Sequence, residues 1–458
     1  MEFNGATIPT ARSFLKQRSF PMMEQFFRPL LFHRKRTLRL VRAAVVLLAA
    51  EATAAPTGPA GIYVIGDTHN VPGEIAKFDL DHVSGDTLRV PWSDIETWNT
   101  ASQAPQYDFS RMVTALEDLR PRGKKMTLEI FIHKAPAYLL DPPGISTWTN
   151  PHPTQGGVQP LPWDPRTLAA YQAMITNLAN HPVTGTPWRI ADHPTLESVD
   201  ASIVGLQGLR DLSNTLVAHP DYTRVKFIQA IVDSVSINRT AFSNKHGFLA
   251  LFLMDDNEAG ISMDQAVCDR LRTEFNVPGK PTLGYFQETL SDAGPRTETL
   301  GSLLHAASSE TYIMFQALRP WTLRQGDTVP PEIASGTPIT GIRHAWRNYR
   351  STYVELYGGD VLNSNNIAAL KKWDRFLHAV RDARDGRGAP SLESPGSPGQ
   401  RLHWEADELL GYKVRQSPDL TSWAPVETNE TMDGDIALPA TTGQPSRFYQ
   451  LEILEPAD

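Results

Sequence analysis

Acids and amides recur in this sequence directly after short apolar runs. Asp67 follows Ile62-Gly66, while Trp92, Asp94 and Glu96 follow Thr87-Pro91, and Glu129 stands near the end of Lys125-Phe131. Gln207, Arg210 and Asp211 follow Val199-Leu206, Asp233 follows Val225-Val232, and Asp255, Asp256, Asn257 and Glu258 follow Phe248-Met254. Gln287, Glu288 and Asp292 come after Thr282-Phe286, and Trp321 comes after Tyr312-Ala317. Paired carboxylates suit hydrolysis of a glycosidic bond, because one protonates the leaving oxygen while the other attacks the anomeric carbon or activates water. Glu288, Glu258, Asp211 and Glu129 are the candidate catalytic groups, and Asp67, Trp92, Asp94, Gln207, Asp233, Asp255 and Trp321 the candidate substrate contacts. Trp92, Trp98, Trp148, Trp163 and Trp321 lie in the same segments, where an indole either stacks on a sugar ring or caps the core.

Other chemistries have weaker support. There is no HExxH, P-loop, G-x-S-x-G or strand-following G-x-G-x-x-G, so neither a metal nor a nucleotide cofactor is expected. His181, His193 and His219 are scattered, and Asp255-Asp256-Asn257-Glu258 lacks the spacing of an EF-hand loop. Cys268 is the one cysteine, which rules out an internal disulfide. A net charge of -8 argues against nucleic acid as a partner, because gripping phosphates requires a basic face.

These acids need a scaffold that brings run ends together. The apolar runs alternate with amphipathic stretches, the signature of a parallel sheet covered on both faces. Helix faces are read from Met112, Ala115, Leu116 and Leu119, from Leu168, Tyr171, Ile175 and Leu178, and from Leu300, Leu303, Leu304 and Ala307. Ser262 with Gln265 reads as a capping box, and His344 to Leu356 and Ala368 to Val380 read as closing helices. The eight runs with helices between them predict an α/β fold, a (β/α)8 TIM barrel over residues 61-384, whose strand ends form the site.

The Gly/Pro/Ser-rich stretch 385-399 reads as a linker, and the alternating runs in 400-458 as a small antiparallel β module like those carried by many secreted bacterial proteins. Residues 1-55 read as a leader: Arg34, Lys35, Arg36, Arg39 and Arg42, then apolar Ala43 to Ala50, then Ala52-Thr53-Ala54 follow the order of a secretory signal. Export is therefore expected, with no membrane span in the mature chain, since the apolar run is too short to cross a bilayer.

The line Val90-Pro91-Trp92-Ser93-Asp94-Ile95-Glu96, followed by Tyr107-Asp108-Phe109-Ser110 and Gly123-Lys124-Lys125, resembles the start of clan A glycoside hydrolase barrels, particularly the beta-galactosidase-like and cellulase-like families. The resemblance implies a carbohydrate substrate, a nucleophilic glutamate ending strand seven and an acid/base glutamate ending strand four. Glu288, in the seventh run counted here, takes the nucleophile role by this resemblance. The fourth run ends without an Asn-Glu pair, which leaves open an altered strand count, another loop acid as donor, or a barrel that binds sugar without cleaving it. Gly66-Asp67-Thr68-His69 is similar to the opening motif of binuclear metallophosphoesterases, but the Gly-Asn-His that should follow is absent.

Overall fold

The computed structural model describes residues 57–65, 74–140, 145–151, 156–204, 214–252, 256, 260–276, 283–294, 298–321, 336–385, 391–393, 401–403, 410–417, 424–429, 435–437 and 448–456. Its centre is a closed, all-parallel barrel. The strands are β1 Gly61–Ile65, β2 Gly85–Pro91, β3 Lys125–Phe131, β4 Leu196–Asp200, β5 His246–Ala250, β6 Leu283–Gln287, β7 Ile313–Gln316 and β8 Tyr353–Tyr357. A 3-10 helix, Glu74–Asp79, follows β1. Each later strand is followed by an α-helix: α1 Ser110–Leu119, α2 Pro165–Asn180, α3 Arg224–Ala241, α4 Met263–Glu274, α5 Glu298–Ala307, α6 Pro338–Tyr349 and α7 Ser364–Arg384. The chain is thus a (β/α)8 barrel.

Local chemistry sets several helix starts. Asp164 caps α2, accepting from the Arg166 amide at 2.8 Å with Pro165 in the first turn, and Ser262 accepts from the Gln265 amide at 3.2 Å to open α4. Outward strand residues such as Ile62, Val64, Leu88, Val90, Leu128 and Ile130 join one large apolar cluster with helix residues such as Met112, Tyr171 and Leu377. A second cluster, Tyr63, Phe248, Ala250, Phe286, Tyr312, Met314 and Tyr353, fills the barrel interior. Gly284 makes room for it: a Cβ there would lie 2.0 Å from the Tyr312 ring.

Two assignments from the sequence change. Val225-Val232 is part of helix α3, because Thr223 caps a run whose buried residues, Phe227, Ile231, Val235 and Asn238, recur at helical spacing. The eighth strand is Tyr353–Tyr357, overlapping the end of the stretch read as a helix from His344 to Leu356; helix α6 ends at Tyr349, with Arg350 in the left-handed region. Every strand after the fourth therefore moves down by one in the count. The fourth itself begins and ends earlier than Val199-Leu206, at Leu196–Asp200.

Short antiparallel hairpins rise after β2 (Glu96–Asn99 with Ala104–Tyr107) and after β3 (Thr147–Asn150 with Gly157–Pro160). Beyond the barrel, Ser391–Glu393, Arg401–His403 and Asp435–Ala437 form one small antiparallel sheet, and Gly411–Ser417, Ala424–Asn429 and Phe448–Leu454 another. No helix among the described residues is long and apolar enough to cross a membrane.

Candidate active site

Inward positions alternate along each barrel strand. Thr87, Thr127, Ser198, Phe286, Met314 and Tyr353 belong to the interior of the barrel. Two residues further toward the C-terminal mouth, the same face carries Arg89 on β2, Glu129 on β3, Asp200 on β4, Glu288 just beyond β6, Gln316 on β7 and Glu355 on β8. The register places Arg89 beside Glu129 and Gln316 beside Glu355. Six strands thus contribute one polar group each to a single layer at the end of the barrel where TIM-barrel chemistry takes place.

Arg89 ties the layer together. Its Nε donates to Glu129 at 2.5 Å, one Nη donates to the Gln316 side-chain oxygen, and the same nitrogen lies 3.9 Å from Glu355. Burial opposes the Arg89 cation, but Glu129 and Glu355 more than compensate and raise its pKa. Both acids are fully buried, at 0% exposure, and Asp200 is 3% exposed. Burial, reinforced by the charge of Glu129, lifts Glu355 from 4.5 to about 8. The same two causes raise Asp200 well above the usual carboxyl range. Glu355 therefore keeps its proton at neutral pH, the state a general acid requires, and Asp200 is shifted in the same direction.

A ladder of hydroxyls supports this layer from beneath. Tyr353 donates to Glu355 at 2.6 Å and lies 2.9 Å from Thr127 and 3.2 Å from Thr87, while Thr127 and Ser198 are 2.7 Å apart. Asp200 accepts from the Ser202 amide at 3.1 Å.

Of the candidate residues, Glu129 and Glu288 belong to this layer. Glu288 follows β6, however, so its strand-seven assignment is corrected; the seventh strand ends at Gln316. Asp233 lies on helix α3, where Gln229 donates to it at 2.9 Å, in a groove lined also by Gln172 and Asn180 of α2, away from the mouth. Trp92 is fully buried, packs edge-on against Tyr171 and donates to Glu96 at 2.5 Å, so it cannot stack on a ligand. Trp321 follows β7 rather than the eighth strand and packs against Gly341 of α6. Asp94 is exposed in the turn after β2. Asp256 is held by Tyr222 at 2.7 Å and by Arg224 at the start of α3. Asp67, Gln207, Asp211, Asp255 and Glu258 lie outside the described residues, as do the leader and most of the linker.

Arg89, Asp200, Gln316 and Glu355 were not among the candidates. Each stands at an inward position of its strand, and a charge between apolar neighbours is visible in Thr87-Leu-Arg-Val and in Tyr353-Val-Glu-Leu. Among the described residues, no group of three His, Cys, Asp or Glu side chains is arranged to hold a metal ion.

No family model and no curated protein sequence matches the chain. Among solved structures, it is similar to an endo-1,4-beta-mannanase from Rhizomucor miehei at 9% identity and a TM-score of 0.47, covering 71% of this chain and 99% of that one. A GH10 endoxylanase from a sugarcane soil metagenome follows at 12% identity and a TM-score of 0.39, covering 66% and 86%. A D-psicose 3-epimerase is similar at 10% identity and a TM-score of 0.35, covering 71% and 99%.

Proposed function

We propose that this chain hydrolyses glycosidic bonds at the C-terminal mouth of its barrel, with Asp200 as proton donor and Glu288 as the opposing carboxylate. The carrying observation is the layer of buried acids around Arg89, in which burial and the neighbouring Glu129 favour the protonated form of Asp200. Arg89 positions Glu129 and Gln316 and balances part of the layer's negative charge. The substrate class rests on the sequence line from Val90 to Glu96, and export rests on the basic, apolar and small-residue order of residues 34-54.

A second reading has its own support. In the resembled families, strands four and seven each end in a catalytic glutamate, whereas here they end in Asp200 and Gln316. An amide neither attacks an anomeric carbon nor takes a proton, so a barrel that binds carbohydrate without cleaving it fits that pair of replacements.

The two readings separate in one assay. Purified protein is offered aryl glycosides, mannan, xylan and mixed-linkage glucan, and reducing ends are measured. Hydrolysis should fall by about 10²-fold or more in both Asp200→Asn and Glu288→Gln. Binding without turnover by the unaltered protein selects the second reading.

A further inference from the structure

Among the described residues Trp98 is the one tryptophan that stays exposed, at 39%. It sits on the hairpin after β2, where Glu96 faces Tyr107 and Trp98 faces Pro105 across the two strands, so these four side chains share one face. Tyr138, from the loop after β3, lies against that face with its ring centroid 5.0 Å from the Trp98 indole and the planes inclined at 36°. The hydroxyl of Tyr138 donates to one oxygen of the buried Glu96 carboxylate, and the Trp92 indole donates to the other at 2.5 Å. A further bond, from the Ser93 amide to the Lys134 carbonyl at 2.8 Å, joins the same two loops. The indole is therefore braced by its neighbour, and the loops that carry both rings are fastened before any ligand arrives.

We infer that Trp98 and Tyr138 form a preorganised shelf that stacks a pyranose ring of an oligo- or polysaccharide chain, next to the mouth segment formed by Arg89 and Glu129. The inference rests on the carbohydrate reading above and names one of its binding subsites. An exposed indole has a large apolar face with electron-rich π density, and the C–H face of a sugar is its flat, weakly positive complement. Rings already held in place lose little entropy on binding, so the stack is worth more here than on a mobile loop. The location also fits, because β2 ends two residues after the inward Arg89 and leads through Trp92–Ile95 into the hairpin, and Tyr138 follows the strand that carries Glu129.

The test is affinity electrophoresis of the full chain in native gels containing mannan, xylan or mixed-linkage glucan. Retardation of the unaltered protein by at least one polymer, with Trp98→Ala weakening that binding about tenfold and Trp98→Phe falling between, supports the shelf. Unchanged melting temperatures would show that the variants fold, as expected for an exposed side chain. Equal retardation of Trp98→Ala and the unaltered protein would overturn the shelf while leaving the carbohydrate reading intact. If no polymer retards the unaltered protein, both fall.

Discussion

Glu355 makes a direct prediction about pH. Its carboxyl sits at about 8 in the folded barrel against 4.5 ordinarily, because burial and the nearby Glu129 disfavour the charge. A folded-state pKa above the unfolded one means that folding holds the proton. The resulting stabilisation is complete below about 4.5 and is lost as pH climbs through about 8. Glu355→Gln removes that titration while keeping the shape. The variant's melting temperature should fall less steeply than that of the unaltered protein over this window, and identical slopes would show that Glu355 does not hold the proton. Such residues were hard to see in the sequence. Glu129 and Glu288 were found because they stand near the ends of apolar runs, whereas Arg89 and Glu355 lie within strands and Asp200 closes a strand read as Val199-Leu206, and their inward direction emerges only once the pleat is known.

At the level of elements, the sequence was legible wherever periodicity and caps agreed. Helices α1, α2 and α5 were read from their apolar faces, α4 from its capping box, and β1, β2, β3, β6 and β7 to within two residues at either end. The two misreadings have one physical origin: a strand buried on both faces and a buried helix turn are equally apolar, so periodicity alone cannot separate them. Phe227-Ile228 and Ile231-Val232 carry enough branched and aromatic residues to look like a strand, yet the helix continues to Ala241. The assignment is testable through Asp233, which belongs to the outside of α3 rather than to a strand end. Asp233→Ala should leave turnover and carbohydrate binding unchanged, and a loss of either would mean that α3 reaches the site. The barrel interior gives a second element-level test. Gly284→Ala on β6 pushes a methyl group into the Tyr312 ring, and chemical denaturation should show a cost of about 1–3 kcal/mol from overpacking.

On the scale of the whole molecule, the region after the barrel places Leu410, Tyr412 and Val414 in the same large apolar cluster as the barrel, and ion pairs join the two as well. Glu455, just past the last strand, accepts from Arg347 at 3.0 Å and forms an ion pair with Arg343 at 3.1 Å, both on helix α6. These groups are partly exposed, so the pair is screened by water and salt, and Glu455→Ala should cost no more than about 1 kcal/mol in thermal or chemical unfolding. A larger loss would mean that this contact organises much more of the C-terminal region than two ion pairs can explain. The closure of the barrel has a different kind of consequence, one of timing. Strand β1 pairs with β2 on one side and with β8 on the other, Gly61 opposite Tyr353. The first strand to leave the ribosome must therefore wait for the last, an interval on the order of tens of seconds at cellular synthesis rates. Throughout that interval Gly61–Ile65, buried at every position in the finished protein, has one edge without its partner, which makes the growing chain a natural client for a chaperone.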